Sequence, residues 1–146
     1  MIMNAAWVVV ADTSRARIFS VENAFSPLVE IQTLDHPEAR LHAGDLVTDK
    51  PGRDRNSGPR SHDIGHVDEA KHDEAVRFAH QVCAALESGR AQGHFNKLHV
   101  IAAPSFLGLL RKQQPQPLQK LVATEISKNL TAYDVETIRK NLPHRL

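Results

Sequence analysis

A single cysteine, Cys83, rules out an internal disulfide framework and every zinc site built on several thiolates. An excess of one charge is also missing. With 18 Lys and Arg against 17 Asp and Glu, whole-molecule attraction to nucleic acid or an anionic membrane is weak, so any basic site has to be local. Long apolar runs are absent. Met1 to Ala6 lack the basic start of a secretion signal, and Trp7 to Ala11 is too short for a signal core or a membrane span. A cytoplasmic protein with no membrane partner is therefore expected. There is no Gly-x-x-x-x-Gly-Lys loop, no dinucleotide glycine fingerprint and no Gly-x-Ser-x-Gly elbow. Nucleotide hydrolysis, Rossmann redox chemistry and ordinary serine esterase chemistry thus have no support, and no cofactor is expected.

The 146 residues suffice for one domain with a substantial core. Ala5-Ala6-Trp7-Val8-Val9-Val10-Ala11 is a short continuous apolar run, as in a strand covered on both faces. Asp12-Thr13-Ser14 then turns the chain into a second strand, 15–22, which predicts an antiparallel hairpin. After a turn at 23–27, residues 28–34 alternate imperfectly and complete a meander. Within 69–92, Ala75, Phe78, Ala79, Val82, Cys83 and Leu86 recur at the spacing of a buried helical stripe, with Asp68 as candidate N-cap and Gly93 as terminator. A buried strand at 98–103 follows. Pro104 and Ser105 open a shorter helix that Pro115 and Pro117 break. A helical turn at 118–121, a strand at 122–130 and a closing helix at 134–141 complete the chain. The expected fold is α/β, a single three-layer domain over 1–146 with a mixed five-stranded sheet, its last two strands added through helical crossovers.

Between the meander and the long helix, residues 44–66 have no hydrophobic period. This segment holds four glycines, two prolines, three arginines and two histidines, which predicts a long flexible, solvated loop. A structureless stretch of this length inside a compact domain is often functional, whereas a tolerated surface insertion is the plain alternative. Lys50, Arg53, Arg55 and Arg60, beside Gly52, Asn56 and Gly58, could follow a phosphate backbone, since arginine makes paired bonds to phosphate oxygens. Asp45, Asp49, Asp54 and Asp63 dilute that charge, and a mixed-charge solvated loop is the competing reading.

The blocks Trp7-Val8-Val9-Val10-Ala11-Asp12, Arg15-Ala16-Arg17-Ile18-Phe19, His36-Pro37-Glu38-Ala39-Arg40, Asp45-Leu46-Val47-Thr48-Asp49-Lys50-Pro51-Gly52-Arg53, Phe106-Leu107-Gly108-Leu109-Leu110-Arg111 and Lys128-Asn129-Leu130-Thr131 occur in order along nearly the whole chain. Together they resemble the bacterial host attachment protein family, described as required for attachment to host cells. That family is similar to bacterial relatives of the archaeal and eukaryotic peptide-chain release factors and of Pelota. The resemblance implies an RNase H-like fold like the release factor middle domain, a role related to translation, and RNA or the ribosome as partner. In the release factors, the loop before the long helix carries a Gly-Gly-Gln motif that enters the peptidyl transferase centre. The corresponding segment here contains Gly52-Arg53 and Ser57-Gly58-Pro59 and no glutamine. A non-catalytic binding factor is the leading expectation. The alternative is an enzyme, either a peptidyl-tRNA hydrolase or a metal-dependent phosphodiesterase.

Other constellations have two readings each. His62, His66 and His72 lie near Asp63, Asp68 and Asp73 and could hold a divalent ion. Placed partly in a loop and without a His-Glu-x-x-His helix, they are expected to be solvated or capping, and no metal site is expected. Asp12 stands where a metal nuclease would place an early carboxylate, with Glu125 as a partner, or it is the residue that the hairpin turn requires. Ser105 could sit at an anion site or serve as a cap. Arg15 and Arg17 could extend into a basic strip with Lys97 or Arg111, or solubilise a sheet face. Cys83 is expected to be buried and unreactive, and Trp7 to pack in the core. The oligomeric state stays open.

Overall fold

The structure, a computed structural model, describes residues 5–22, 26–36 and 60–143, with backbone alone over 60–68. The apolar run at the start becomes the central strand β1 (Ala6–Ala11), and every one of its residues is buried. It can be central because no residue on either face is polar. On one side it pairs antiparallel with β2 (Arg15–Val21), which pairs in turn with β3 (Val29–Asp35). On the other side it runs parallel to β4 (Lys97–Ala102), which is parallel to β5 (Val122–Ser127). The sheet is therefore mixed and five-stranded, in the order β3-β2-β1-β4-β5.

Four helices complete the described residues: α1 (Arg60–Ala91), α2 (Pro104–Gln113), α3 (Gln116–Gln119) and α4 (Val135–Lys140). Alternate residues of the central strands serve opposite faces of the sheet. Trp7, Val9 and Ala11, with Ile18, Leu98 and Val100, pack against Phe78, Val82 and Leu86 of α1 and Phe106 and Leu110 of α2. Val8 and Val10, with Phe19, Val21 and Ile101, pack against Leu130, Ile138 and Leu142 on the α4 side. Each such side chain contributes about 1.5–3 kcal/mol through its burial, so the two small cores stabilise three layers.

The C-terminus of α1 is set by local chemistry. Gly93 has φ +77, its N–H donates to Arg90 O at 3.0 Å, and the His94 N–H donates to Gly89 O at 2.9 Å. These two bonds form a Schellman ending, for which glycine is the residue with no steric cost. Gly89 is fixed by a different requirement. A Cβ there would overlap the Trp7 ring, which stacks on Phe95 at 4.7 Å between centroids.

Three sequence expectations shift. Helix α1 begins at Arg60, so residues 60–66 belong to a helix and Asp68 lies inside it instead of capping it. The apolar stripe begins at Ala75, so hydrophobic periodicity gives no sign of the earlier turns, and Pro59 stands immediately before the helix in the sequence. Strand β5 stops at Ser127, because Leu130 turns away to be buried on the α4 side. The imperfect alternation of β3 has a cause in its pairing: Ile18 faces Gln32 and Phe19 faces Glu30, so a register shift leaves Ile31 without an opposite residue on β2.

Candidate functional site: one margin of the sheet

Strand register brings several turns to the same margin. Ala11 at the end of β1 lies opposite both Ala16 and Ala102, Ala102 lies opposite Ser127, and Arg15 lies opposite Asp35. The hairpin turn 12–14, the exit of β3 at His36, the start of α2 and the segment 128–134 therefore meet there. In open α/β sheets, ligands bind beyond the carboxyl ends of parallel strands, where the connections diverge.

Asp12 holds this margin together. Its Oδ1 accepts the Ser14 and Arg15 backbone N–H groups, both at 2.9 Å, and the Ser14 hydroxyl at 3.1 Å. These bonds make the turn. Its Oδ2 reaches across the sheet to the Thr131 hydroxyl at 2.9 Å and the Asn129 amide at 3.3 Å. Partial burial by itself would raise the Asp12 pKa, but the donors from Ser14, Thr131 and Arg15 outweigh it and hold the carboxyl below the ordinary aspartate range. Asn129 Oδ1 also accepts the Thr131 N–H at 3.2 Å, so the 128–134 segment is braced within itself.

Arg17 braces the same segment from β2. One guanidinium nitrogen donates to Thr131 O at 3.0 Å and Tyr133 O at 2.7 Å, while the others bind Glu30 at 3.0 and 3.3 Å. The guanidinium also lies 5.1 Å from the centroid of Phe19. Hydrogen bonding from Arg17 lowers the Glu30 pKa below the ordinary range. The expected basic strip does not form. Lys97 stands opposite Ala6, at the far end of the sheet from Arg15 and Arg17, and Arg111 binds Glu125 at 2.7 and 2.8 Å. That ion pair lies beside an open groove of about 510 Å³ lined by Gln114, Gln119 and 122–125. Glu125 therefore does not converge with Asp12, and the paired-metal arrangement is not assembled.

His36 anchors the exit from β3. Its backbone N–H donates to Ser14 O at 2.9 Å, its Nε2 lies 3.0 Å from Glu74 Oε1 on α1, and its ring stacks on Phe78 at 5.0 Å. It is buried. The block 36–40 carries part of the family resemblance, but nothing local marks the contact with Glu74, which lies far along the chain.

Among the candidate RNA-binding residues, Lys50, Gly52, Arg53, Arg55, Asn56 and Gly58 fall outside the described residues, and Arg60 is the first residue of α1. His62 and His66 lie on α1 rather than in a loop, and His72 is exposed farther along it. Among the described residues, no group of three or more His, Cys, Asp or Glu is placed to hold a metal ion. Ser105 is not the cap of α2: Ala103 occupies that position, Pro104 follows, and no side chain caps the helix. Cys83 is buried as expected, with Sγ 3.6 Å from Leu110 O and its thiol pushed up to about 12 by burial.

One titratable group escaped the sequence reading. His99 on β4 is buried, neither ring nitrogen has a hydrogen-bond partner among the described residues, and burial with nearby Lys97 and Arg139 pushes its pKa down to about 4. It stands opposite Val8, on the α4 side of the sheet.

No helix among the described residues is long and apolar enough to cross a membrane. None of the curated proteins matches the chain. A family model described as protein required for attachment to host cells matches residues 7–142, which takes in the five strands save Ala6, together with the braced margin. The chain belongs to that family, the proteins required for attachment to host cells.

Proposed function

We propose that this protein is a non-catalytic binding factor, cytoplasmic and related to translation, that contacts RNA or the ribosome through the Gly- and Arg-bearing part of 44–66. The observation that carries this reading is the state of Asp12. The carboxylate that a metal-dependent phosphodiesterase would spend on an ion is engaged by Ser14, Arg15, Asn129 and Thr131, where it shapes the margin. Glu125 is committed to Arg111 elsewhere. A peptidyl-tRNA hydrolase of the release factor kind would need the glutamine of Gly-Gly-Gln, and 44–66 has no glutamine.

The sheet order β3-β2-β1-β4-β5, antiparallel over its first three strands and parallel afterwards, agrees with an RNase H-like domain such as the release factor middle domain. His36, fixed at the margin, is the last described residue before the segment that contains Lys50, Arg53 and Arg55. A support to attachment would then be indirect, through synthesis of the proteins that perform it.

Ribosome co-sedimentation and RNA binding across a salt series test the reading. Replacing Arg53, Arg55 and Arg60 together by alanine should weaken binding and reduce the slope of log affinity against log salt by about 2–3, since each phosphate contact contributes roughly 0.7–0.9. Unchanged binding and slope would remove the segment as the contact. Release of peptide from peptidyl-tRNA by the purified protein would favour the enzymatic alternative.

A further inference from the structure

The two margins of the sheet are defended differently. Edge strands are usually guarded by lysine, proline or very short length, because their outer N–H and C=O groups can pair with another chain. Strand β3 has seven residues, contains neither lysine nor proline, and is exposed at every position except Leu34. Among the described residues, the exposed large hydrophobic side chains are Val29 at 54%, Ile31 at 46% and Tyr133 at 51%. Two lie on β3. The third is tied to the same place, since Arg17 binds both the Tyr133 carbonyl and the Glu30 carboxylate between Val29 and Ile31.

We propose that β3 is a homodimer interface, in which the β3 edges of two copies pair antiparallel about a two-fold axis near Ile31. The strand is self-complementary in this register. Ile31 meets its symmetry mate, Val29 meets Thr33 and Glu30 meets Gln32, so no like charges face each other. The charge of Glu30 is already balanced by Arg17 within its own chain. Pairing β3 with the opposite edge, β5, would be head-to-tail and would not close at two copies, whereas the two-fold contact does. At β5 the exposed acid Glu125 is held by Arg111 beside the groove, so that edge offers no comparable apolar pair. The register shift at Ile31 suits the arrangement, because this residue is unmatched on β2 and contributes its side chain outward.

Sedimentation equilibrium of the full chain over a dilution series tests the proposal. The expected species at high concentration has twice the 16.2 kDa mass of one chain. Ile31→Lys should weaken association by roughly tenfold or more while Ile31→Val preserves it. Far-UV circular dichroism and melting of both variants report whether folding survives, and Val29→Lys gives an independent disruption if Ile31→Lys does not fold. In the unmodified protein, amide exchange in 29–35 should slow as concentration rises. A monomer at every concentration would overturn the proposal, as would a dimer that survives both lysine substitutions. Concentration-independent protection of those 29–35 amides that do not bond to β2 would also overturn it, since the edge would then be covered within one chain.

Discussion

Asp12 and His99 are polar side chains on or beside neighbouring parallel strands, and the protein treats them in opposite ways. At the margin, Asp12 is half-buried and surrounded by donors, two of them from a segment more than a hundred residues away. Within the α4 side of the sheet, His99 is almost fully buried beside Val8, with both ring nitrogens unpartnered among the described residues. A buried polar group adds stability when its bonds are made and subtracts it when they are not. The acid is a clasp that closes the fold. The imidazole is a cost that the surrounding apolar packing offsets.

The largest expected effect lies at His99. Burial holds its folded pKa down to about 4 against an ordinary 6.5, so the unfolded chain takes up a proton between these pH values that the folded chain refuses. Stability is unaffected by this group above pH 6.5 and falls as pH drops from 6.5 towards 4. About 1.4 kcal/mol per unit gives a loss of roughly 3 kcal/mol across that window. Urea unfolding at several pH values should show this slope in the unmodified protein and a flatter one in His99→Leu. Equal slopes would mean that the imidazole is solvated or bonded after all.

Removing the clasp should cost somewhat less. Asp12→Ala leaves the Ser14 and Arg15 amides without their acceptor and cuts the tie to Thr131, whose hydroxyl keeps Asn129 Oδ1 at 2.9 Å, a destabilisation of roughly 2–3 kcal/mol in urea unfolding at neutral pH. An unchanged midpoint would make the five short contacts incidental. Thr131→Val removes the hydroxyl that bonds Asp12 Oδ2 and Asn129 Oδ1 but leaves the Asn129 link to Asp12, and should cost about 1–2 kcal/mol. If it equals Asp12→Ala in effect, the hairpin turn contributes nothing of its own. The smallest effect is expected at the second brace: Arg17→Lys loses the fork that reaches Thr131 O, Tyr133 O and Glu30 together, for about 1 kcal/mol. A larger loss would move the main support of 128–134 from Asp12 to Arg17.

Elements with local signals were legible in the sequence. The unbroken run 5–11 marks the doubly covered strand, Asp12-Thr13-Ser14 its turn, Gly93 the end of α1 and Pro115 the end of α2, whereas the capping of α4 by Asp134, whose Oδ1 accepts the Thr137 N–H at 2.9 Å, is seen only in the structure. The first turns of α1 were not legible, because periodicity reports a packed face and residues 60–68 have few apolar side chains to reveal one. The site was only half visible. Asp12 was recognisable as a turn residue, but its bonds to Asn129 and Thr131, and the His36–Glu74 anchor, follow from the order of strands rather than from spacing. The supposed basic strip failed for the same reason: Arg17 is consumed by carbonyls and Glu30, and Arg111 by Glu125.

The most direct test of a structural rather than metal-binding Asp12 is manganese titration of the isotope-labelled protein followed by nuclear magnetic resonance. The Asp12, Asn129 and Thr131 signals should keep their intensity as the paramagnetic ion is added, while any loss falls on exposed carboxylates elsewhere. Selective broadening of Asp12 and Thr131 at low manganese would show an ion displacing the clasp, and would contradict the binding-factor reading in favour of a metal-dependent one.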